Sequence, residues 1–121
     1  MKSKLLRDLK EAWESGDADA IARLYSARAF FLDGVGQGEQ LARGPRAIRS
    51  LARKMFKSPG ARFRVTSLSS TSYGGVAEWT FSWTADRRGR RRELRGASVI
   101  VTGKSRVVRE LSYYNPVPEI E

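Results

Sequence analysis

The sequence predicts an α+β fold in which three N-terminal helices pack on one face of a curved, mainly antiparallel sheet. Two observations predict it. Apolar residues recur at helical spacing in the first half of the chain, and long strand-like segments joined by short turns fill the second half. Helices followed by a run of strands are typical of this class. A chain of 121 residues holds one hydrophobic core but not two, so we expect a single domain over residues 1–121.

The first predicted helix covers about residues 4–15. Its apolar residues recur at the spacing of one helix face: Leu5, Leu6, Leu9, Ala12 and Trp13. Ser3 is a candidate N-cap, because its hydroxyl can accept a hydrogen bond from a free amide of the first turn. Gly16 is the candidate residue that ends the helix, since glycine readily adopts the left-handed conformation found there.

The next predicted elements are a short helix, a short strand and a third helix. Asp17 is the predicted cap of the short helix, and residues 29–33 form the strand, which ends at a glycine-rich loop. The third helix opens at Gly44-Pro45, where a proline in the first helical position loses no hydrogen bond. One face of that helix is apolar: Ile48, Leu51, Ala52, Met55 and Phe56.

Four long strands are predicted after the third helix, at residues 63–70, 75–85, 91–102 and 105–114. The turns between them are short, so consecutive strands form antiparallel hairpins. On the second of these strands Trp79, Phe81 and Trp83 alternate and therefore project from one face. The opposite face carries polar side chains: Glu78, Thr80 and Ser82.

The composition restricts the chemistry and the compartment. The chain has no cysteine and no histidine, which excludes disulfides, thiolate nucleophiles, a Ser-His-Asp triad and histidine-based zinc sites. Acid–base chemistry must therefore use Asp, Glu, Lys or Tyr, and we expect neither a metal site nor a cofactor. The sequence contains neither an apolar run near the roughly 20 residues of a membrane-spanning helix nor a signal-peptide pattern. We expect a cytoplasmic protein without a membrane partner.

The net charge of +10 is densest in one arginine-rich run between the second and third long strands. Its members are Arg87, Arg88, Arg90, Arg91 and Arg92. A hairpin tip lets like charges spread into water, so a solvated loop is the simplest interpretation. Binding of a polyanion such as nucleic acid is a weaker alternative. It is not favoured, because no aromatic residues alternate with these arginines to stack on bases.

Six short segments, by their order and spacing, are the most specific pattern in the chain: Trp13-x-x-Gly16-Asp17-x-Asp19-Ala20-Ile21, Leu24-Tyr25, Gly44-x-x-Ala47-Ile48, Val76-Ala77-Glu78-Trp79-Thr80-Phe81, Leu94-Arg95-Gly96-Ala97-Ser98-Val99 and Leu111-Ser112-Tyr113-Tyr114-Asn115-Pro116. In this pattern the chain resembles the SnoaL-like polyketide cyclase and ketosteroid isomerase group of the nuclear transport factor two-like superfamily. The resemblance covers nearly the whole chain and implies a cone-shaped roll of strongly curved sheet, closed by helices around an apolar pocket. Fold alone does not determine function, because this superfamily contains both enzymes and binding modules.

The resemblance gives Asp33 its candidate role. In ketosteroid isomerase-like members, a carboxylate at the end of the first strand is the base that shuttles a proton, and Asp33 lies at the matching place. A general base needs the raised pKa that apolar neighbours bring. The residues themselves leave an alternative open, in which Asp33 caps the following loop by accepting hydrogen bonds from the amides of Gly34 to Gly36.

The hydrogen-bond donors of the isomerase are not found at the matching positions. Its first-helix tyrosine falls near Leu9 and its protonated aspartate near Ala97, and neither of these side chains donates a hydrogen bond. The indole N–H of Trp13 is the one obvious donor nearby. Because such donors stabilise the transition state, the resemblance implies proton transfer by Asp33 but not steroid isomerisation by the same mechanism.

The resemblance also implies which side chains line the pocket. The predicted lining is Trp13, Phe31, Trp79, Phe81, Trp83, Ala97, Val99, Ser112 and Tyr114. The alternating aromatic residues form a flat apolar wall for a ring-shaped ligand, with packing in the core as the alternative. Glu110 shares a strand face with Ser112 and Tyr114 and is a second candidate acid, unless it pairs with Arg95.

Two functions follow from such a pocket. In one, the chain is a small cofactor-independent isomerase, cyclase or dehydratase in which Asp33 removes a proton next to the carbonyl group of a small, cyclic, apolar compound. In the other, the pocket binds a ligand or a partner without chemistry. Relatives often pair through the outer face of the sheet, so the resemblance also implies a homodimer.

Overall fold

The chain forms two helices, then two strands, a third helix and four further strands. The computed structural model describes residues 2–117, so residue 1 and residues 118–121 of the predicted domain lie outside this range. Within it, the elements are α1 (Lys2–Ser15), α2 (Ala18–Ala22), β1 (Tyr25–Asp33), β2 (Gln40–Arg43), α3 (Gly44–Phe56), β3 (Arg62–Ser70), β4 (Gly74–Thr84), β5 (Arg91–Thr102) and β6 (Val107–Pro116).

The strands form one sheet in the order β2-β1-β6-β5-β4-β3. Neighbouring strands are antiparallel except β1 and β6, which run parallel, so the predicted α+β class is confirmed with a mixed sheet. The sequence does not predict β2 or the first half of β1. These segments carry no clear alternation, and the short β2 is a strand because it pairs with β1.

Register irregularities curve the sheet around α1 and α3. They lie between Tyr25 and Phe30 in β1, between Val65 and Ser67 in β3, and near the end of β5. An irregularity of this kind increases the local bend and twist of a strand. At the β3 bulge, Glu14 of α1 accepts a hydrogen bond from the amide of Val65 at 2.9 Å, which joins the helix to the curved strand.

The helix boundaries test the capping predictions. The predicted N-cap Ser3 is wrong, because α1 begins one residue before it. Gly16 has a φ of 71° and ends α1, and Asp17 caps α2 by accepting a hydrogen bond from the amide of Asp19 at 3.0 Å. Of the helices described in residues 2–117, none combines the length and the apolar content that crossing a membrane requires.

The core lies between the helices and the inner face of the sheet. Its largest fully buried side chains come from both layers: Leu6, Ile21, Tyr25, Ile48, Ile100 and Val107. Trp13 of α1 packs against Phe31 of β1 and Phe63 of β3, with ring centroids 6.0 and 5.3 Å apart. Because burial of apolar surface is the main stabilising contribution in folding, these contacts hold α1 over the inner face.

The outer face of the sheet carries an apolar row that crosses five strands in register. Its members, from β4 to β2, are Val76, Val99, Leu111, Leu32 and Leu41. Leu41 is 54% exposed, and Tyr113 on the same face is 42% exposed. We call these six residues the outer apolar row. A contiguous apolar stretch on a surface rich in charge is typical of an interaction site.

Candidate active site

A small cavity lies between the helices and the inner face of the sheet. Its volume is about 40 Å³, which is enough for about three water molecules or a compact molecule of similar size. The apolar wall includes Leu9, Trp13, Phe31, Phe63, Ala77 and Trp79. The polar side chains of the lining are Lys10, Asp33, Ser98, Glu110 and Ser112. Two carboxyl groups therefore share one small, mostly apolar enclosure.

Strand register brings the polar residues together. On the inner face, Asp33 of β1 is aligned with Ser112 of β6, and Ser112 is aligned with Ser98 of β5. Glu110 lies two residues before Ser112 and therefore projects from the same face. These residues are far apart in sequence and become neighbours because β1 pairs in parallel with β6.

Asp33 is the last residue of β1 and is half-buried at the cavity. Gly34 follows with a φ of 72°, a conformation that glycine adopts without strain, and turns the chain away from the strand. The hydroxyl of Tyr114 donates a hydrogen bond to Asp33 Oδ2 at 3.2 Å. A Cβ at residue 34 would lie 3.1 Å from that hydroxyl oxygen, so glycine permits the turn and leaves room for the tyrosine.

The surroundings of Asp33 suit a general base. Burial raises the pKa of its carboxyl group, and the hydrogen bond from Tyr114 opposes that shift. Burial and the nearby charge of Asp33 raise the pKa of Tyr114 to about 12, so its hydroxyl remains a donor at neutral pH. Asp33 is thus a carboxylate that one tyrosine orients and apolar neighbours make more basic.

The alternative role of Asp33 as the cap of the following loop is wrong. The amides of Gly34 and Val35 both donate to a carbonyl oxygen of β6 at 3.0 Å. The amide of Gly36 donates to the side chain of Glu39. Since these loop amides have other partners, the Asp33 carboxylate remains directed to Tyr114 and the cavity.

Glu110 is the buried acid of the cavity, with 4% of its surface exposed. The hydroxyl of Tyr25 donates to Glu110 Oε1 at 2.7 Å, and the indole N–H of Trp13 donates to that hydroxyl at 3.1 Å. Burial raises the pKa of Glu110 to about 7. Hydrogen bonds from Tyr25 and Ser98 lower this pKa, and the charge of Asp33 raises it. A large fraction of molecules therefore carries a protonated Glu110 near neutral pH.

Two contacts suggested by the sequence are wrong: an ion pair between Arg95 and Glu110, and a hydrogen bond from Trp13 to a ligand. Arg95 does not pair with Glu110, because alternation along β5 directs it to the outer face, where Arg95 Nη2 lies 3.9 Å from Glu93 Oε2. The indole N–H of Trp13 is bonded to Tyr25 and is therefore not a donor for a ligand.

A second polar chain crosses the cavity wall. Trp79 Nε1 donates to Ser98 Oγ at 2.9 Å, and Ser98 Oγ lies 3.0 Å from Ser112 Oγ. Gly96 makes this arrangement possible, because a Cβ at that position would lie 2.6 Å from Trp79 Cζ2. The indole therefore lies over a strand position without a side chain and holds two hydroxyl groups beside the carboxyl groups.

The aromatic lining differs in part from the prediction. Trp13, Phe31 and Trp79 line the cavity. Phe63, which the sequence pattern does not single out, stacks on Trp79 with ring centroids 5.1 Å apart. Tyr114 was also predicted to line the cavity, but it is not part of the lining; it lies behind two lining residues, with its ring centroid 5.8 Å from that of Trp79 and its hydroxyl bonded to Asp33.

Phe81 and Trp83 do not line the cavity, although they share the strand face of Trp79. Each step of two residues along a strand advances the chain by about 7 Å, so these residues lie beyond the cavity. Phe81 packs edge-on against Phe56 of α3 at 5.7 Å, and Trp83 stacks on Phe81 at 5.6 Å. Core packing, the alternative left open by the sequence, describes both residues.

Ala97 and Val99 also do not line the cavity. On β5 the inward-facing residues are Ser98 and Ile100, so Ala97 and Val99 project from the outer face. A shift of one residue in the assumed register moves every side chain of a strand to the other face. The β5 sequence does not reveal the register, because both of its faces carry small and apolar residues.

Several residues of the site escape the sequence prediction, among them Tyr25, Phe63 and Ser98. A usable signal for Tyr25 is that a buried tyrosine hydroxyl needs a hydrogen-bond partner. Few acidic residues lie on predicted inward-facing positions, so Glu110 is a candidate partner. The signal for Ser98 is the pair of small residues Gly96 and Ser98 beside Trp79, since a large ring needs small neighbours on the adjacent strand. Phe63 carries no comparable local signal.

The donor groups of the cavity are suited to moving protons. Within residues 2–117, no three side chains of His, Cys, Asp or Glu come together in a way that could hold a metal ion. The cavity instead contains two carboxyl groups with raised pKa values and two serine hydroxyls, with tyrosine hydroxyls bonded to both carboxyl groups. Carboxyl groups in such surroundings serve as general acids and bases.

The arginine-rich run forms the hairpin between β4 and β5. Arg90 Nε donates to Asp86 Oδ2 at 2.8 Å. The guanidinium group of Arg91 donates to the carbonyl oxygen of Gly60 at 2.9 Å and to Ser82 Oγ at 2.8 Å. These contacts hold part of the run against its own protein, and polyanion binding stays a prediction. All five arginines of the run are exposed.

Comparisons with known proteins agree with this architecture. A family model described as a SnoaL-like domain matches residues 6–110. A protein with a ketosteroid isomerase-like fold from Catenulispora acidiphila, in complex with trimethylamine, is 13% identical, with a TM-score of 0.78 over 94% of this chain and 87% of its own. A candidate polyketide cyclase from Xanthomonas campestris is 21% identical, with a TM-score of 0.73 over 94% and 90%.

An LEH-like epoxide hydrolase from M. tuberculosis is 16% identical, with a TM-score of 0.73 over 94% of this chain and 84% of its own. At these identities the solved structures establish the fold alone. A search among curated proteins finds no significantly similar sequence.

Proposed function

Because the chain belongs to the SnoaL-like domain family, we propose that it is a cofactor-independent enzyme that transfers protons within a small apolar molecule. The observation that carries this proposal is the pair Asp33 and Glu110, which face one apolar cavity from adjacent strands in different surroundings. Carboxyl groups whose surroundings separate their pKa values can divide the roles of base and acid. The proposed reaction is an isomerisation, cyclisation or dehydration of a carbonyl compound.

Asp33 is the proposed base. Its carboxylate removes a proton from the carbon next to the carbonyl group, and the electron pair of that C–H bond moves toward the carbonyl oxygen. The hydroxyl of Tyr114, 3.2 Å from Oδ2, keeps the carboxylate in position. Burial raises the pKa of Asp33, so it accepts a proton more readily than an exposed aspartate does.

Glu110 is the proposed acid. In its protonated form it donates its O–H to the carbonyl oxygen as negative charge develops there. The hydroxyls of Ser98 and Ser112 are further donors at the same wall. In an isomerisation, Asp33 returns the proton to another carbon and the enol O–H returns its proton to Glu110. In a dehydration, a hydroxyl group on the next carbon takes the proton from Asp33 and leaves as water, while the enol O–H returns its proton to Glu110. In a cyclisation, the enol carbon attacks a second carbonyl group of the same molecule, whose oxygen takes the proton from Asp33, and the enol O–H again returns its proton to Glu110.

The volume of the cavity limits the substrate. About 40 Å³ corresponds to about three water molecules, so the enclosed space holds part of a small ring such as cyclopentanone and is much too small for a steroid. The aromatic and aliphatic walls favour an apolar ring. We therefore propose a compact cyclic carbonyl compound as the substrate.

Asp33→Asn is expected to lower the rate at which a bound ketone exchanges its α-protons with solvent by at least about 100-fold. The substrate probe is cyclopentanone in D₂O, and the measurement is the loss of proton NMR signal at the carbons next to its carbonyl group. The asparagine keeps an oxygen that accepts the Tyr114 hydrogen bond but has no basic oxygen. The melting temperature should change little, because the residue is half-buried and keeps its shape.

Asp8→Asn is the matched control, because Asp8 pairs with Lys4 on the surface of α1. It should leave the exchange rate unchanged. For the wild type, the rate should fall as the pH rises through about 7, where Glu110 loses its proton. Equal rates for the wild type and Asp33→Asn would remove Asp33 from the mechanism.

Addition of water to a small epoxide is a second reaction that the same pair permits, and the protonated Glu110 favours it. Asp33 takes a proton from water, the water oxygen attacks an epoxide carbon, the C–O bond breaks, and Glu110 gives its proton to the released oxygen. One of the structurally similar proteins is described as an epoxide hydrolase. Cyclopentene oxide in the same NMR assay tests this reaction, with formation of the diol as the readout.

Binding without chemistry is the alternative function, and the narrowness of the cavity favours it. The buried rings of Trp13 and Phe31 take up much of the space between α1 and the sheet. In this case cyclopentanone shifts the indole resonances of Trp13 and Trp79, while its protons exchange with solvent no faster than in buffer without the protein. The two readouts of one sample thus separate a binding module from an enzyme.

We also propose that two copies of the chain pair through the outer apolar row. A twofold axis places such a patch opposite itself, and Glu78 and Arg95, both exposed on this face, can then pair across the axis. Tyr113→Lys is expected to convert a dimer into a monomer in sedimentation velocity. Tyr73→Lys is the control, since Tyr73 is similarly exposed, at 46%, but lies in the β3–β4 turn. A monomeric wild type would overturn this proposal.

A further inference from the structure

The cavity contains two carboxyl groups without a basic group that neutralises them. Within the described range 2–117, neither Asp33 nor Glu110 forms an ion pair, and their hydrogen bonds come from neutral hydroxyl groups. Lys10 also lines the cavity, but its ammonium group lies 3.0 Å from Glu14. A chain with a net charge of +10 thus leaves an interior site with uncompensated negative charge.

Aromatic rings form the wall beside these acids. Four of them line the cavity: Trp13, Phe31, Phe63 and Trp79. The face of an aromatic ring is electron-rich and attracts a cation within about 6 Å of the ring centre, and indole is the strongest of the three ring types. Rings around a small space, with carboxylates in the same wall, are the arrangement that recognises alkylammonium groups.

We infer that the ligand of this cavity carries a compact alkylammonium group. The inference rests on the proposed small-molecule site and adds the charge of its ligand. That ligand is a compact carbonyl compound or amine whose cationic group lies between the rings of Trp13 and Trp79, beside Asp33. A neutral ligand would leave the ionised carboxylate uncompensated in an apolar enclosure, which is unfavourable. A cation of the same shape compensates it.

The positive charge on the protein surface does not cancel the preference of the cavity for a cationic ligand. At physiological ionic strength, exposed charges are largely screened beyond about 8 Å. The carboxyl groups lie in the cavity wall itself, where screening is weaker. Lys10, the basic residue of the lining, is paired with Glu14. The local charge that a bound ligand meets is therefore negative.

The test compares tetramethylammonium with tert-butanol, which have equal numbers of non-hydrogen atoms and similar shapes. The indole N–H resonances of ¹⁵N-labelled protein report binding, because Trp13 and Trp79 line the cavity while Trp83 lies outside it and is an internal reference. Tetramethylammonium should shift the first two resonances in a saturable manner and bind at least about tenfold more tightly than tert-butanol. Sodium chloride at equal concentration controls for ionic strength.

Asp33→Asn should weaken tetramethylammonium binding about tenfold and leave tert-butanol binding unchanged. At about pH 8.5, where Glu110 is ionised, Glu110→Gln should also weaken tetramethylammonium binding, which keeps the test decisive if the first variant does not fold. Equal binding of the two probes, or shifts that are as large at Trp83, would overturn the inference. If cyclopentanone shifts the cavity indoles and tetramethylammonium does not, the cationic inference fails while the proposed function stands. If none of the three probes shifts them, the proposed site fails as well.

Discussion

Glu110→Gln is expected to raise the free energy of unfolding by about 3 kcal/mol at alkaline pH and to change it little at acidic pH. Burial raises the pKa of Glu110 from 4.5 to about 7, so the folded state holds this proton more tightly than the unfolded state. The contribution of Glu110 to stability is therefore fully present below about pH 4.5 and is lost as the pH rises through about 7. Glutamine cannot ionise, yet it keeps the oxygen that accepts the hydrogen bond of Tyr25.

The measurement is urea unfolding of the wild type and Glu110→Gln at a series of pH values between about 4 and about 9. The difference between the two stability curves isolates Glu110, because the other titrating groups are present in both proteins. Glu11→Gln, at an exposed position of α1, is the matched control and should change stability by less than about 0.5 kcal/mol. Parallel curves for the wild type and Glu110→Gln would contradict a protonated Glu110 near neutral pH.

Gly96→Ala is expected to lower the free energy of unfolding by about 2 kcal/mol. A Cβ there would lie 2.5 Å from the carbonyl oxygen of Tyr113 and 2.6 Å from Trp79 Cζ2. The Tyr113 carbonyl belongs to a hydrogen-bonded strand and the Trp79 ring is packed in the core, so neither can move aside as the end of a flexible side chain can. If the indole moves, it loses its 2.9 Å hydrogen bond to Ser98, and the cavity wall changes with it.

Urea unfolding measures the stability of Gly96→Ala, and the indole N–H resonance of Trp79 reports the position of its ring. Gly103→Ala is the control, because Gly103 has no left-handed φ and an added Cβ would lie no closer than 3.2 Å to its nearest neighbour, the side chain of Val108. We expect Gly103→Ala to be the less destabilised of the two. Wild-type stability and an unshifted Trp79 resonance in Gly96→Ala would contradict the packing of the indole over β5.

Elements with strong local signals were predictable from the sequence. Gly16 and Asp17 mark the end of α1 and the start of α2, and Pro45 lies in the first turn of α3. These signals depend on the conformational preferences and hydrogen bonds of a few adjacent residues. β2 has no such signal, because it becomes a strand through hydrogen bonds to β1.

In the candidate site, too, residues with local sequence signals were predictable and residues placed by strand register were not. Asp33 was identifiable because it ends an apolar segment before a glycine, and Glu110 because it alternates with Ser112 and Tyr114. The sequence could not tell how far along β4 the cavity extends, so Phe81 and Trp83 were assigned to it wrongly. It also could not tell which face of β5 is inside, so Ala97 and Val99 were chosen where Ser98 belongs.

By itself, the sequence determined the fold class, the end of α1, the start of α2 and of α3, and the exclusion of histidine and cysteine chemistry. Each of these depends on composition or on residues close together in the chain. Only the tertiary structure decided that β1 pairs in parallel with β6, which places Asp33 beside Glu110 in a cavity of about 40 Å³. Register between distant strands follows from the packing of the whole core, because a shift of one residue would exchange the inner and outer faces of the sheet.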